Sequence, residues 1–389
     1  MNHFKIYYNT LELPNSWDNL GHNDIFLKTS FLKALEKSSP HNISSFYVAV
    51  YASETLVGIA IIQRVEMYLD NVFRKTSNNI LKQTGKILVS KIVRGNALVV
   101  GNLMHTGQHG LFYLEQQISQ IDFLNQIQKA LSKITLDIKK QFNKKIRIIV
   151  FKDYFQSDTI HFQTHFFNQN ALHKLQVQPN MVLSIKDTWL QKEDYINEFT
   201  KKYKRRYTTA RKKCDQIIKK ELDLENIKAN NDILYELYQN VSENARVNSF
   251  KLDVYHFYNL KSELKDNFKV FAYFLNNQII GFYTLILNGN NLETYFLGYH
   301  NNFQHQYQLY LNMLFDMACF GIENKFKTVI YARTAMEIKS SIGAKPHVMH
   351  IYLKHTNKFI ANSVLKLIVK YMNPMRSWEE RHPFKTQNP

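Results

Sequence analysis

The sequence has few of the residues that mark several common classes of protein. Its 389 residues include only 2 cysteines, which excludes a disulfide scaffold, and its 15 histidines are scattered, so no metal site is assigned. Glycine (12) and proline (7) are scarce, so long elements joined by short loops are expected. No apolar run approaches the roughly 18 residues that a transmembrane helix needs. The N-terminus lacks the basic-then-apolar pattern of a signal peptide. We therefore expect a cytoplasmic protein in a reducing compartment.

Acidic residues are also in short supply. Lys and Arg number 50 against 32 Asp and Glu, which leaves a formal net charge of +18. Such an excess favours a polyanionic partner: a membrane surface, a nucleic acid or a phosphorylated cofactor. Hydrophobic residues make up 45% of the chain, a proportion typical of globular domains with real cores. The length indicates two or three domains, or two large lobes.

What the sequence does contain is an internal repeat. Residues 48–58 and 271–281 each predict a β-hairpin, with turns at Ser53/Glu54 and Asn276/Asn277. In each half, four further elements follow in the same order: a strand that ends in glycine (97–101 and 294–298), a helix (112–141 and 307–324), a short strand (146–151 and 328–332) and a proline-led strand (178–186 and 345–354). We therefore predict two similar units, at 1–187 and 188–372, and a C-terminal tail at 373–389.

The two halves differ in their additions. The first carries an insert near 66–92 that is both basic and apolar, a composition that suits the interface of a membrane. The alternative is that the apolar side of the insert covers the core of the first unit. The second half carries two polar helices, predicted at 190–219 and 231–246, before its hairpin.

This order of elements resembles the fold of the GNAT acyltransferases. Two such units in one chain resemble the FemAB-like branch and related predicted bacterial N-acyltransferases. The local signatures are KKYKRRYTTARKK at 201–213, YFLGYH at 295–300 and ARTAMEIKSSIGAKP at 332–346. The resemblance implies an α/β (α+β) fold of two tandem GNAT-like units, each a mixed central sheet flanked by helices. It also implies transfer of an acyl group to an amine.

One segment departs from the GNAT pattern. The glycine-containing loop that binds the pyrophosphate of CoA in that family corresponds to 301–308, and this segment contains no glycine. Glycines there let backbone N–H groups approach the phosphates. The departure weighs against the usual mode of CoA binding. It fits the FemAB-like branch, in which several members use aminoacyl-tRNA as the donor.

The strand that ends at Gly298 carries the candidate catalytic groups. In the fold that the resemblance implies, the site lies where the central strands part, near this strand. Alternation along a strand predicts that Glu293, Tyr295 and Tyr299 share one face. We predict that Glu293 accepts the proton of the amine, that Tyr299 protonates the leaving group and that Tyr295 contacts the substrate. The alternatives are a solvent-exposed Glu293 on an edge strand and a Tyr299 that only packs. The matching strand of the first half, Ala97–Gly101, has no group that moves a proton, so the second unit is the presumed catalytic one.

Other polar residues of the second half are candidates for substrate binding. Arg333 and Thr334 follow a buried-type strand, where α/β sheets place ligand groups, and an arginine there suits a phosphate or carboxylate. Lys339 lies in the short helix that follows. The alternatives are a surface arginine and a helix cap at Thr334. Glu243 and Arg246 are predicted to wall the acceptor pocket, or else to form a surface ion pair.

The run at 201–213 is the strongest electrostatic feature. It is almost entirely of one sign, which costs self-repulsion unless an anion offsets it. We predict anion binding by Lys204, Arg205, Arg206 and Arg211. The alternative is an ordinary solvated helix face.

Three functions are compatible with these features. The preferred one is an N-acyltransferase with acyl-CoA or an acyl carrier as co-substrate, without metal or prosthetic group. Its acceptor is an amine on a lipid or cell-envelope precursor, and it works in the cytoplasm or on the inner face of an anionic membrane. The second is an aminoacyl-tRNA-dependent enzyme that adds amino acids to a peptidoglycan precursor. The third is a non-catalytic module that binds membranes or RNA. The first is preferred because the long coiled-coil arm of many tRNA-dependent enzymes is not evident.

Overall fold

The computed structural model describes residues 1–67, 94–244, 250–357, 359–371 and 377–385. They form two compact units. Unit 1 holds the described residues of Met1–Val177, Arg246–Asp253 and Val348–Met375, and unit 2 those of Gln178–Ala245, Val254–His347 and Arg376–Pro389. The chain thus leaves unit 1 at 177/178, returns to it briefly at the described residues of Arg246–Asp253 and returns finally at 347/348, whereas the sequence predicts one boundary at 187/188. Except for Glu66 and Met67, the predicted basic insert lies outside the described residues.

Unit 1 is built on a mixed sheet in the order β1-β2-β3-β4-β6-β13, with β5 paired to β3. β4 and β6 are parallel, and the other pairs are antiparallel. The strands are β1 (Asn2–Tyr7), β2 (Ile43–Ala52), β3 (Thr55–Met67), β4 (Gly95–Val100), β5 (Leu111–Tyr113), β6 (Ile146–Phe155) and β13 (Lys345–His355).

The helices of unit 1 are α1 (Thr29–Lys37), α2 (Gln120–Phe142), α3 (Thr164–Gln169) and α12 (Ala361–Tyr371). α2 forms because apolar residues recur at helical spacing, and this stripe, from Phe123 to Ile138, is buried in the core. The Ser119 side chain caps its first turn, and Asn143 ends it in the left-handed region at φ 51°. The predicted helix at 112–141 therefore begins later, since its first residues belong to β5.

The strands of unit 2 also pair in a mixed arrangement, in the order β7-β12-β11-β10-β9-β8. β11 and β12 are parallel, and their neighbours pair antiparallel. The strands are β7 (His173–Ser184), β8 (Ile218–Glu221), β9 (Phe268–Leu275), β10 (Gln278–Asn288), β11 (Asn291–Tyr299) and β12 (Thr328–Ile330).

The helices of unit 2 are shorter than the sequence predicts. The segment 190–219 forms two helices and a strand rather than one long helix, and 307–324 is preceded by a further short helix. The helices are α4 (Lys192–Asn197), α5 (Lys201–Lys213), α6 (Leu224–Ala229), α7 (Asn231–Asn244), α8 (His256–Leu264), α9 (Asn301–Tyr307), α10 (Leu309–Glu323) and α11 (Met336–Ser340). Within the described ranges, no helix has the length and apolarity to cross a bilayer.

Both predicted hairpins are confirmed, and the two closing strands are exchanged. β2 pairs with β3 and β9 with β10, and the turn residues Ser53, Asn276 and Asn277 adopt φ values of 53°, 50° and 65° that tight hairpin turns require. The strand that ends the first half, β7, pairs with β12 in unit 2. The strand that ends the second half, β13, pairs with β6 in unit 1.

The described C-terminal segment belongs to the core of unit 2. The Phe384 ring stacks on Phe199 at 5.5 Å and lies 5.5 Å from Trp189. It also fills the space above Gly343, where a Cβ would lie 2.4 Å from the ring and where φ is +97°. Both facts require glycine at the turn before β13. The predicted tail thus includes a packed segment.

Candidate active site

The parallel strands of unit 2 part at a buried carboxylate. β11 and β12 pair at Asn291–Glu293 and Thr328–Ile330, and beyond Glu293 β11 continues to Tyr299 paired with β10. Glu293 is the last residue that pairs with β12 and is 5% exposed. The structure therefore excludes a solvent-exposed Glu293 and puts its carboxylate at the start of the fork.

The predicted common face of Glu293 and Tyr299 is wrong, because a β-bulge lies between them. Glu293 pairs with Ile286, Tyr299 pairs with Gly281, and the register shifts by one residue partway along. Ile286 and Gly281 are an odd number of positions apart on a regular stretch of β10, so they face opposite sides. Antiparallel partners share a face, so Glu293 and Tyr299 also face opposite sides.

Ring contacts identify the two sides. Phe282, on the face of Ile286, packs edge-on against Phe257 of α8 at 5.1 Å. Tyr299 lies on the other side, 6.3 Å from Tyr310 of α10, and burial raises the pKa of its phenol. Glu293 therefore faces the side that carries α8, and Tyr299 faces the side that carries α10.

Tyr295 points toward α8, where sequence reasoning missed a histidine. Its hydroxyl lies 3.2 Å from His256 Nε2, and the two rings stack at 5.8 Å. His256 is fully buried, and burial raises the pKa of Tyr295 well above its ordinary value. Tyr295 is thus a neutral phenol held against an imidazole. No local signal marks His256 in the sequence, since a lone histidine gives no spacing to interpret.

Gly298 brings α7 against the forked strand. A Cβ at Gly298 would lie 2.4 Å from the carbonyl carbon of Leu237 and 2.5 Å from the backbone nitrogen of Tyr238. Only glycine permits this approach between helix and strand. The glycine that ends this predicted strand therefore has a packing role beside the fork.

The loop after β12 is strained. Ala332, Thr334 and Ala335 all have positive φ, at 57°, 73° and 48°. A β-branched residue such as Thr334 rarely adopts this region, and strain of this kind clusters at functional sites. Ala335 occupies the cap position of α11 without a side-chain hydrogen bond, so the alternative role of Thr334 as the helix cap is excluded.

A buried lysine holds this loop in place. Lys339 Nζ donates to the carbonyl oxygens of Tyr331 and of Arg333, the latter at 2.9 Å. Burial lowers the pKa of Lys339 to about 7 and that of Arg333 to about 10. Lys339 is 5% exposed, and its ammonium is committed to backbone acceptors. In this structure it therefore positions the loop that presents Arg333, although the sequence predicts a substrate contact.

A basic cavity of about 460 Å³ lies where α5 approaches α9 and α10. Its cations are Lys202, Arg205 and Arg206, and none of the described carboxylates lines it. Burial, and more weakly the charge of Arg381, lowers the pKa of Arg206. The remaining lining includes Gln304, His305 and Gln308, from the segment that the sequence resemblance matches to the pyrophosphate loop. The cavity thus offers the cations of side chains at the place where a glycine-containing loop would offer backbone N–H groups.

Arg211 is already paired. Its guanidinium lies 2.8 Å from Asp316 and 3.2 Å from the amide oxygen of Asn312. Burial alone would lower the pKa of Arg211, but the Asp316 carboxylate raises it above its ordinary value. Tyr273 donates to the same carboxylate. Arg211 therefore neutralises a buried acid, unlike Arg205 and Arg206.

The other predicted binding residues lie apart from this cavity. Lys204 is exposed and donates to Asn197 at 2.8 Å. Glu243 is exposed near the end of α7, and Arg246 lies outside the described residues. Among the residues that the structure describes, no three His, Cys, Asp or Glu side chains group so as to hold a metal ion. Sequence reasoning missed two residues of the cavity, Lys202 and His305. In the sequence, Lys202 is one of many cations in the run at 201–213, and His305 stands out only because the segment 301–308 lacks glycine.

Comparison with known proteins identifies the fold. No protein-family model and no curated protein matches the sequence. Among solved structures, the chain is similar to FemX at 11% identity and a TM-score of 0.53, covering 94% of this chain and 100% of that one. It is similar to a tandem GNAT protein from the clavulanic acid biosynthesis pathway at 9% identity and a TM-score of 0.50, covering 91% and 98%. The chain therefore has a tandem GNAT-like fold of the mixed α/β class, in which mixed strand pairing is flanked by helices.

Proposed function

We propose that this protein transfers an acyl or aminoacyl group to an amine, with unit 2 as the catalytic unit. The observation that carries the proposal is the fork of β11 and β12 with buried Glu293 at its last paired position. A carboxylate at such a place accepts the proton of the attacking amine, directly or through a water. Because Tyr299 faces the other side of the sheet, Glu293 acts without it.

The donor is proposed to be an acyl thioester on CoA or on an acyl carrier. The phosphate of either carrier suits the basic cavity, where Arg205 and Arg206 offer bidentate donors and Lys202 adds a third charge. These side chains take the part that backbone N–H groups play in a glycine-rich loop. Arg333, presented by the loop that Lys339 holds, is proposed to bind a second anionic group of donor or acceptor.

The acceptor is proposed to be an amine on a lipid or cell-envelope precursor, reached from a membrane surface. In unit 1, α12 buries only Asn362 and Leu365. Large apolar side chains just before and within α12 are exposed: Phe359 (90%), Ile360 (73%), Leu367 (56%) and Tyr371 (75%).

The positive charge around α12 favours an anionic partner. Lys366 and Lys370 are exposed beside the apolar residues, and no acidic residue occurs in the sequence between Glu337 and Glu379. A basic helix with exposed apolar side chains binds at the interface of an anionic bilayer. This surface supports the peripheral membrane association that the sequence predicts for the insert at 66–92.

The activity is tested with purified protein, a panel of acyl-CoAs and a polar-lipid extract as acceptor. Thiol release that depends on the acceptor and is lost in Glu293→Gln supports the proposal. Activity with aminoacyl-tRNA that RNase abolishes, without thiol release, would assign the donor to tRNA. Absence of both activities, together with tight liposome or RNA binding, would contradict transfer and favour a binding module.

A further inference from the structure

Unit 1 contains a cavity of about 430 Å³ at the start of α2. It lies between the first turns of α2, strand β5 and the carboxyl end of β6. Its walls are largely apolar and include the aromatic rings of Phe112, Tyr113, Phe123 and Phe155. The rings of Tyr113 and Phe123 stack at 4.9 Å and form one flat side. The volume and lining fit a ligand of small-molecule size with an apolar body.

One buried polar group in this cavity lacks a partner. Tyr154 lines it and is 3% exposed, and among the described residues its hydroxyl has no hydrogen-bond partner. Leaving a buried hydroxyl unsatisfied costs about 1–3 kcal/mol, so such groups generally meet a ligand or a water. The Tyr154 hydroxyl therefore indicates where a polar group of a ligand sits.

The charge of the cavity is opposite to that of the basic cavity in unit 2. Glu115 and Asp158 line it, no lysine or arginine does, and neither carboxylate has an ion pair with Lys or Arg within the described part of the chain. Asp158 is half-buried and accepts the backbone N–H of Phe155 at 2.6 Å through one oxygen. Burial raises the pKa of Asp158, so a bound cation would stabilise its charged form. In a protein with a net charge of +18, this unpaired acidic lining selects against anions such as phosphates.

We propose that the unit 1 cavity binds an apolar or aromatic molecule that carries a protonated amine. The apolar body lies against the stacked rings of Tyr113 and Phe123. The ammonium donates to the Asp158 carboxylate and to the Tyr154 hydroxyl, with Glu115 at the rim. Such a molecule has the chemistry of the acceptor in the reaction proposed above. The two proposals fail separately, because binding here is measured without turnover.

The test is calorimetry on the full chain with three probes that share one aromatic body. They are phenethylamine, the neutral 2-phenylethanol and the anionic 3-phenylpropionate. We expect the amine to bind about tenfold tighter than the alcohol, which corresponds to one charge-assisted hydrogen bond, and the anion not to bind. Asp158→Asn should remove the preference for the amine, and Tyr154→Phe should weaken binding of both the amine and the alcohol, since the polar group of each probe meets the Tyr154 hydroxyl.

Two controls keep the result interpretable. Glu54→Gln removes the same charge from an exposed hairpin turn and should leave all three affinities unchanged. Circular dichroism shows whether each variant folds, and Glu115→Gln, at the exposed rim, gives a second and smaller loss if Asp158→Asn unfolds. Equal binding of amine and alcohol, tighter binding of the anion, no binding of the amine, or an unchanged preference in both carboxylate variants would each overturn the proposal.

Discussion

Glu293 and Tyr299 lie six positions apart on one strand and yet face opposite sides of the sheet of unit 2, because a β-bulge separates them. The bulge also turns Tyr295 toward His256 on the side of α8. The proposed base, Glu293, and the phenol of Tyr299 therefore cannot act on the same substrate group, because the sheet lies between them. The geometry therefore places Glu293, the proposed base, and Tyr299, which packs toward α10, on different sides of the same strand.

We expect Glu293→Gln to lower turnover by about 10²–10⁴-fold, because general-base transfer contributes that much. Tyr299→Phe should keep turnover close to that of the wild type, since its hydroxyl lies on the side of α10. The measurement is steady-state kinetics with the active donor, with circular dichroism as the folding control. Near-normal turnover in Glu293→Gln would remove Glu293 as the base, and a large loss in Tyr299→Phe would restore the phenol as a proton donor.

The cations of α5 should separate into two groups. Arg205→Ala combined with Arg206→Ala should weaken binding of inorganic pyrophosphate by about tenfold or more, because two charge-assisted contacts are lost. Arg211→Ala should instead lower the free energy of unfolding by about 1.5–3 kcal/mol, because Asp316 loses its charge-assisted hydrogen bond and keeps only the more distant Lys219 ammonium, 3.6 Å away, as a counter-charge.

Calorimetry and urea unfolding measure the two effects. Lys212→Ala removes an exposed charge from the same helix and should change neither. Loss of pyrophosphate binding in the Lys212 variant to the same extent would show that only the net charge of the helix matters. An Arg211→Ala protein of normal stability would contradict the structural role of the Asp316 pair.

The sequence predicts the hairpins and the buried stripe of α2 because each depends only on residues within one short segment of the chain. The turn at Asn276/Asn277 needs two residues that tolerate positive φ, and the stripe of α2 needs only its own spacing. Both are visible in the sequence before any tertiary contact is known.

What the sequence does not predict depends on partners that are distant along the chain. The exchange of β7 and β13 places each strand in a sheet formed by the other half, and both halves have similar strand patterns. The bulge before Leu297 has no residue signature. Arg211 resembles its neighbours in the charge run, and only Asp316, more than 100 positions later, distinguishes it.

Lys339 makes stability depend on pH in a defined direction. Burial lowers its folded pKa to about 7, below the roughly 10.4 of an unfolded lysine. Between these values the unfolded chain binds more protons, so this group adds stability as pH rises from 7 toward 10, by up to about 1.4 kcal/mol per pH unit. Below pH 7 both states are protonated and the contribution is constant.

The measurement compares urea unfolding of the wild type with that of Lys339→Met at pH 6, 7, 8 and 9. The difference in unfolding free energy, wild type minus variant, should be flat between pH 6 and 7 and rise above pH 7. The subtraction cancels groups that titrate equally in both proteins. A difference that stays flat to pH 9 would show that the carbonyls of Tyr331 and Arg333 keep the folded lysine fully protonated.

Flotation with liposomes locates the membrane surface. Leu367→Ser combined with Ile360→Ser removes exposed apolar area from the α12 segment, and Lys366→Glu combined with Lys370→Glu reverses its charge. The first change weakens burial of apolar side chains in the bilayer interface. The second removes attraction of about 1 kcal/mol for each basic residue near an anionic surface. Both double variants should therefore float less with phosphatidylglycerol vesicles than the wild type. Only the charge variant should lose its preference for phosphatidylglycerol over phosphatidylcholine.

Leu136→Ser is the matched control, because Leu136 is 64% exposed on α2 beside Asp137 and should not meet the bilayer. A parallel variant with Lys82, Lys86 and Lys91 replaced by Glu tests the insert. If that variant alone stops floating, the attachment belongs to the insert and the role of α12 is wrong; if only the α12 variants stop floating, the membrane surface lies on unit 1 at its last helix.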